Sequence, residues 1–200
     1  MTVRKSSNRF TAAGLFFSIV FSGAFLCMTG CWLVMAGWIS TPETVSLEKT
    51  LKRMQTISQA QERYYVKSTS VFGQKQYAAF LPHLWITPDL NGKPVHMNLI
   101  PKKMALAMGR DTTLDGYYFE DVHQRYLDGR GMENESHMQW TVAAIPAEMP
   151  RTGFIIFLAD ESGKVFTKSV TIRPDRFPLF PEKDGWQVIE NPEDLKHYSQ

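Results

Sequence analysis

The sequence predicts an α+β protein in which an N-terminal transmembrane helix precedes an amphipathic helix packed on an antiparallel sheet of three or more strands. Three observations predict this class. A long uncharged run opens the chain, a segment with helical periodicity follows it, and strand-like segments separated by turns make up most of the rest. Helices and strands that are segregated along the chain in this way are typical of α+β domains.

Residues 10–39 contain no charged side chain, and these 30 residues exceed the roughly 20 that a helix needs to cross a bilayer. The apolar region of a secretory signal peptide is shorter, about 7 to 15 residues. The length therefore favours a helix that is retained in the lipid bilayer. The side chains expected to anchor it are large and apolar: Phe10, Phe17, Phe21, Phe25, Trp32 and Trp38.

The charges around the run predict its orientation. Arg4, Lys5 and Arg9 precede it without any acidic residue, which favours a cytoplasmic N-terminus. The chain has 22 basic and 20 acidic residues, so 19 basic and 20 acidic residues remain after these three. A body with this balance lacks the excess of basic residues that nucleic-acid binding requires. We therefore expect no nucleic-acid partner.

The processing of the N-terminus stays open between three alternatives. Cys27 and Cys31 both lie in the run, and "MTGCW" around Cys31 is similar to the site at which bacterial lipoproteins are lipid-modified. "RFTAAG" is similar to a prepilin cleavage site, but Arg9 replaces the usual glycine and Gly14 replaces the usual glutamate. A plain, unprocessed membrane span is the third alternative.

A helix is predicted from about Pro42 to Val66, capped by Ser40 or Thr41 and followed by a loop at Gly73. One face of it carries residues at spacings of three and four: Leu47, Leu51, Met54, Ile57, Gln61 and Tyr64. We expect Leu47, Leu51 and Met54 to be buried against the sheet. Beyond it, "KQYAAFLPHLW" predicts a helical turn broken at Pro82, and "TPDLNGKP" predicts a turn.

Three strands are predicted in the second half of the chain. "DGYYFEDVHQRYL" predicts one strand, "DGRGMENES" a loop, and "HMQWTVAAIPA" a second strand. "FIIFLADESGKVFTKSV" predicts a hairpin with a solvent-facing turn at Asp160–Gly163, and its apolar run predicts the central strand. Because side chains alternate along a strand, we expect Tyr117 and Phe119 on one face and Tyr118 on the other, so that at least one lies off the core.

The predicted organisation has four parts. Residues 1–9 form a cytoplasmic basic segment, 10–39 the transmembrane helix, and 40–172 an extracytoplasmic domain. Residues 173–200 form a proline-rich tail, which we expect to be an extended cover or a flexible end.

No motif in the sequence indicates a known chemistry. The five histidines lack zinc-site spacing, and the chain has neither a phosphate-binding loop nor a Gly-x-Ser-x-Gly nucleophile elbow. His123 and His137 flank the predicted loop between two strands, and with Asp121 or Glu133 they could hold a metal. Ordinary surface histidines are the simpler interpretation, so we expect no cofactor, no metal and no catalytic residue.

The order of these elements resembles bacterial type IV pilin-like exported proteins. The resemblance is carried by "SLEKTLKRMQTISQAQERYY", "LDGYYFE", "WTVAAIPAEMPRTGFIIFLADESGKVF" and "DGWQVIE". It implies an inner-membrane protein with a periplasmic pilin-like domain, whose role is structural or binding in an envelope, secretion or pilus-type assembly. The partners it implies are the lipid bilayer and other pilin-like or envelope proteins. The alternative is a membrane-tethered enzyme or ligand-binding sensor domain, with a cleft between the tail and the sheet that uses His123, His137 and nearby carboxylates.

Overall fold

The computed structural model describes residues 46–127, 130–133, 138–148 and 154–198. The chain divides after Pro42, and all described residues belong to the second unit, Glu43–Gln200. The predicted transmembrane helix at 10–39, with its anchors from Phe10 to Trp38, lies outside the described residues. Within the described ranges, no helix is both long and apolar enough to cross a membrane.

One long helix, α1, runs from Leu47 to Phe72, so both predicted ends were wrong. It begins later because Ser46 is the N-cap: its backbone is extended and its hydroxyl accepts a hydrogen bond from the Lys49 N–H. It ends later because Gly73, at φ +74°, adopts the left-handed conformation that terminates helices. The residues before Gly73 continue the helix.

The strands in the described ranges form three sheets. The largest contains five antiparallel strands in the order β10-β8-β7-β6-β3, the second contains β5-β4-β9, and the third is the hairpin β1-β2. The strand bounds are β1 Ile86–Pro88, β2 Pro94–His96, β3 Tyr117–Asp121, β4 Gln124–Leu127, β5 Arg130–Glu133, β6 Thr141–Pro146, β7 Phe154–Asp160, β8 Val165–Val170, β9 Phe177–Pro178 and β10 Gln187–Val188. An α+β class with one long helix and antiparallel sheets is thus confirmed.

The predicted hairpin is the middle of the large sheet. β7 pairs with β8 in a register that joins Ala159 to Val165 across the turn, and β7 lies third of five strands. The prediction that this apolar run forms the central strand is therefore confirmed. A run without alternation fits a strand that is covered on both faces.

The single strand predicted over 115–127 was wrong. Val122 and His123 interrupt it, so that β3 pairs with β6 in the large sheet while β4 pairs with β5 and β9 in the small one. The polar segment predicted as a loop contains β5. Continuous strand-forming residues do not reveal such a change of sheet, because each half satisfies the strand pattern separately.

The large sheet is buried on both faces. Leu51 and Met54 of α1 pack with Tyr117 and Phe119 in one hydrophobic core, which confirms their predicted burial against the sheet, whereas Leu47 is only partly buried at the edge of this core. Tyr118 points the other way, as the alternation predicts, but it is buried in a second core. The expectation that one of the three aromatic residues lies off the core was wrong, because the sheet has no open face at this strand.

The second core is closed by the C-terminal segment. Phe177 and Trp186 pack in it together with Ile156 and Leu158 of β7. The segment 173–200 contributes β9, β10 and two 3₁₀ helices, Pro181–Asp184 and Pro192–Tyr198, and belongs to the same unit as the sheet. The tail is thus an integral layer of the domain.

Between α1 and the large sheet the chain forms short elements. A 3₁₀ turn spans Leu81–Leu84, and Pro82 stands in its first turn instead of breaking it. The predicted Asn-Gly turn joins β1 to β2, with Gly92 at φ +77°. A short helix, α2, follows at Lys102–Ala105.

Candidate ligand-binding cleft

A cleft of about 380 Å³ lies between the β7–β8 turn and the segment Leu179–Lys183. One wall is built by the turn and the start of β8, and the opposite wall by the chain leading into the second 3₁₀ helix. The lining side chains mix charged, polar and apolar groups: Gln139, Asp160, Glu161, Ser162, Lys164, Phe166, Leu179, Phe180, Pro181, Glu182 and Lys183. The cleft lies between the C-terminal segment and the sheet, where the alternative function placed a site.

Asp160 is the buried acid of this cleft, with 5% of its surface exposed. Its Oδ1 accepts hydrogen bonds from the Ser162 N–H at 3.0 Å and from the Ser162 hydroxyl at 2.5 Å. Burial raises the pKa of the Asp160 carboxyl, and the bonds from Ser162 offset only part of that rise. The prediction of a solvent-facing turn was therefore wrong for this residue.

Arg125 of β4 ties the small sheet to the same turn. Its side chain is 1% exposed, and its Nη2 donates a hydrogen bond to Glu161 Oε1 at 2.9 Å. Burying a guanidinium is costly unless a carboxylate faces it. The Arg125–Glu161 pair therefore fixes the position of the turn that forms one wall of the cleft.

Both walls carry apolar and charged side chains: Phe166 and Lys164 on the first wall, and Phe180, Glu182 and Lys183 on the opposite one. Phe166 is buried, whereas Phe180 is 46% exposed. The Lys183 ammonium lies 4.6 Å from the centroid of the Phe180 ring. Across the cleft, Lys164 Nζ on the facing wall forms an ion pair with Glu182 Oε1 at a distance of 2.7 Å. Both lysines of the cleft therefore already have a partner.

The histidines lie elsewhere. His83 and His123 both make edge-type contacts with the exposed Phe80 ring, at centroid distances of 5.2 and 5.0 Å, and His96 lies near Trp85. Burial lowers the pKa of His83. His123 is not among the residues that line the cleft. His137 and the side chain of His197 lie outside the described residues.

Asp121, a half-buried acid at the end of β3, has a structural contact. Its two carboxylate oxygens accept from the Leu81 N–H at 3.0 Å, which ties the end of β3 to the first 3₁₀ turn. Burial, opposed by this hydrogen bond, raises the pKa of Asp121 to about 6. The predicted metal site of His123 and His137 with Asp121 or Glu133 is not tested, since His137 and the side chain of Glu133 are not described. Among the side chains that are described, no group of three His, Cys, Asp or Glu residues could hold a metal ion.

Sequence reasoning missed Asp160 and Phe180 as site residues. The signal for Asp160 was present, because an Asp followed two residues later by Ser in a turn is a common local hydrogen-bonding pattern. That pattern does not reveal that the Asp160 side chain is buried in the folded domain. Phe180 stands between two prolines and gave no periodic signal.

In comparisons with protein-family models, with curated proteins and with solved structures, no match to this chain was found. The resemblance to pilin-like proteins therefore stays a prediction.

Proposed function

We propose that this chain is a single-pass protein of a bacterial inner membrane, with a cytoplasmic N-terminus and a non-catalytic α+β domain in the periplasm that has a structural or binding role. The observation that carries the proposal is the charge pattern. Arg4, Lys5 and Arg9 precede 30 uncharged residues, and the charged body begins after them. Such a pattern favours a retained span with the body on the far side.

The start of α1 supports a tethered domain. The resemblance to type IV pilin-like proteins implies that the apolar segment continues directly into the amphipathic helix. Here α1 has its own N-cap at Ser46, and the Ser46 N–H donates to the Asp115 carbonyl at 3.3 Å. A helix fixed to its own domain at its first residue suits a binding module on a membrane anchor. If the role is structural instead of binding, we propose that the domain takes part in an envelope or pilus-type assembly.

The buried and half-buried polar groups support a role without catalysis. Asp121 accepts a hydrogen bond from the Leu81 N–H, and Asp160 accepts one from the Ser162 hydroxyl. Arg125 donates a hydrogen bond to Glu161. Each of these contacts joins two segments of the domain or fixes a turn, which are structural tasks.

Protease access in cells tests the proposed topology. With an epitope tag after Gln200, we expect the body to be digested in spheroplasts and protected in intact cells, and the chain to stay with membranes in alkaline carbonate. A variant carrying Phe17→Arg and Phe21→Arg should lose membrane retention, because each central arginine costs about 2.5 to 3.5 kcal/mol of insertion. Protection of the body in spheroplasts, or extraction of the unmodified chain by carbonate, would overturn the proposal.

The intact mass of the purified chain, together with the identity of its first residue, distinguishes the three forms of anchoring. A chain that starts near Met1 supports the plain span. A start at Phe10 would mean prepilin-type processing and would favour filament assembly, whereas a lipid-modified start at Cys31 would make the protein a lipoprotein.

A second candidate function is a membrane-tethered ligand-binding sensor or enzyme. The cleft of about 380 Å³ favours it, because small-molecule sites commonly occupy roughly 300 to 1,000 Å³ and combine an apolar surface with a few polar groups. A catalytic activity of the purified chain that Asp160→Asn abolishes would support the enzyme and contradict the non-catalytic proposal.

A further inference from the structure

We propose that the cleft between the β7–β8 turn and Leu179–Lys183 binds a small primary amine with an apolar body, whose ammonium group pairs with Asp160. This inference names a ligand class for the binding role and rests on that part of the proposed function. It is carried by the chemistry of the two walls.

Asp160 has unused acceptor capacity. Its Oδ1 is occupied by Ser162, but its Oδ2 accepts no hydrogen bond and its carboxylate makes no ion pair anywhere in the described part of the chain. Arg125 lies near enough to favour the charged carboxylate, and its guanidinium forms an ion pair with Glu161. A buried carboxylate without a direct cation is costly, so a cationic ligand would be stabilised there.

The charges of the cleft favour a cation over an anion. Three carboxylates line it, those of Asp160, Glu161 and Glu182, against the two ammonium groups of Lys164 and Lys183. An anion would have to break the Lys164–Glu182 pair or draw Lys183 away from the Phe180 ring, and it would face the carboxylates as well. A cation needs neither change.

The apolar side chains of the cleft determine what kind of apolar body the ligand should have. Phe166, Leu179, Phe180 and Pro181 share the cleft with Asp160, and Phe180 leaves 46% of its surface exposed. The volume lies at the lower end of the usual range for small-molecule sites. A single aromatic ring or a short alkyl chain next to the ammonium group would therefore fill the cleft.

The test is isothermal titration calorimetry of the full chain in detergent with three probes of one shape: 2-phenylethylamine, neutral 2-phenylethanol and anionic 3-phenylpropionate. We expect the amine to bind at least about tenfold more tightly than either analogue, since a charge-assisted hydrogen bond is worth about that factor. Comparable binding of amine and alcohol, preference for the anion, or no detectable binding of the amine at millimolar concentration would overturn the proposal.

Two variants locate the site. Asp160→Asn keeps an acceptor for Ser162 and should weaken amine binding about tenfold or more, whereas the exposed Asp175→Asn should leave it unchanged. Phe180→Ala, at an exposed position that should not affect folding, should weaken it several-fold through the lost apolar contact. Unchanged affinity in both Asp160→Asn and Phe180→Ala would place any observed binding elsewhere and sink the proposal.

The outcome is separable from that of the topology experiment. Calorimetry reports on the cleft alone, and protease access reports on the anchor alone. If the chain binds the amine but is extracted by carbonate, the membrane proposal is overturned and the amine-binding proposal stands. If the chain stays in the membrane but does not bind the amine, the amine-binding proposal is overturned and the membrane proposal stands.

Discussion

Arg125 and Glu161 form an unequal ion pair: the arginine side chain is 1% exposed, whereas the glutamate side chain is 28% exposed. The pair joins β4 of the small sheet to the β7–β8 turn of the large one. Because the two partners differ in access to water, removing one of them should not have the same effect as removing the other. The difference between the two losses in the free energy of unfolding shows how much this pair contributes to fixing the cleft wall.

Glu161→Gln should destabilise the domain more than Arg125→Met. The first change removes the carboxylate that pairs with a guanidinium whose side chain is 1% exposed, for which roughly 3 kcal/mol is expected, the low end for breaking a buried pair. The second change removes the buried charge and leaves a glutamate whose side chain is 28% exposed. Urea unfolding of both variants and of the double variant measures the coupling.

Glu182→Gln is the matched control for this pair. It removes a carboxylate from the exposed Lys164–Glu182 pair, so little or no change in the free energy of unfolding is expected. A larger loss in Arg125→Met than in Glu161→Gln would mean that packing of the arginine stem, and not its charge, dominates.

Burial on both faces of the large sheet predicts that Ile156 is as critical as any residue under the helix. Ile156 is fully buried in the second core, and its replacement by alanine should cost about 2 to 5 kcal/mol. Ile172→Ala is the control, because this isoleucine is 80% exposed and should change stability by less than about 0.5 kcal/mol. Equal tolerance at both positions would mean that the C-terminal segment does not cover this face in solution.

The sequence predicted the local elements better than their arrangement. The helical face with Leu51 and Met54 and the β7–β8 hairpin follow from side-chain spacing and turn residues, which act over a few positions. The break between β3 and β4, the burial of Arg125 and the cover supplied by Phe177 and Trp186 depend on segments that are distant in the chain, such as Arg125 and Glu161, which are 36 residues apart. No local pattern encodes such contacts, so none could indicate which side chains line the cleft between the C-terminal segment and the sheet.

The half-buried Asp121 should make stability depend on pH between about 4 and 6. Its folded-state pKa is raised from 3.8 to about 6, so in this window the folded state holds a proton that the unfolded state has lost. Stability from this group is therefore greatest at low pH and falls as the pH rises, by at most about 3 kcal/mol for a shift of about two pH units.

Asp121→Asn isolates this effect, since asparagine does not titrate and can still accept from the Leu81 N–H. Relative to the unmodified chain, the variant should gain stability between pH 4 and pH 6.5 in urea unfolding. The exposed Asp175→Asn should run parallel to the unmodified chain across the same range. A stability difference for Asp121→Asn that stays constant with pH would contradict the raised pKa.

The N-cap at Ser46 decides whether α1 begins with the domain. Ser46→Ala removes the acceptor for the Lys49 N–H and should destabilise the domain by about 1 kcal/mol in urea unfolding, whereas Ser46→Gly should cost only a few tenths. Ser70→Ala is the control inside the helix: its exposed hydroxyl bonds to the Lys67 carbonyl, and alanine is the better helix former, so no loss is expected. If Ser46→Ala proved neutral or stabilising, a helix that continues through this position would be indicated. That result would favour the continuous stalk of a pilin-type assembly over the tethered binding domain proposed for this chain.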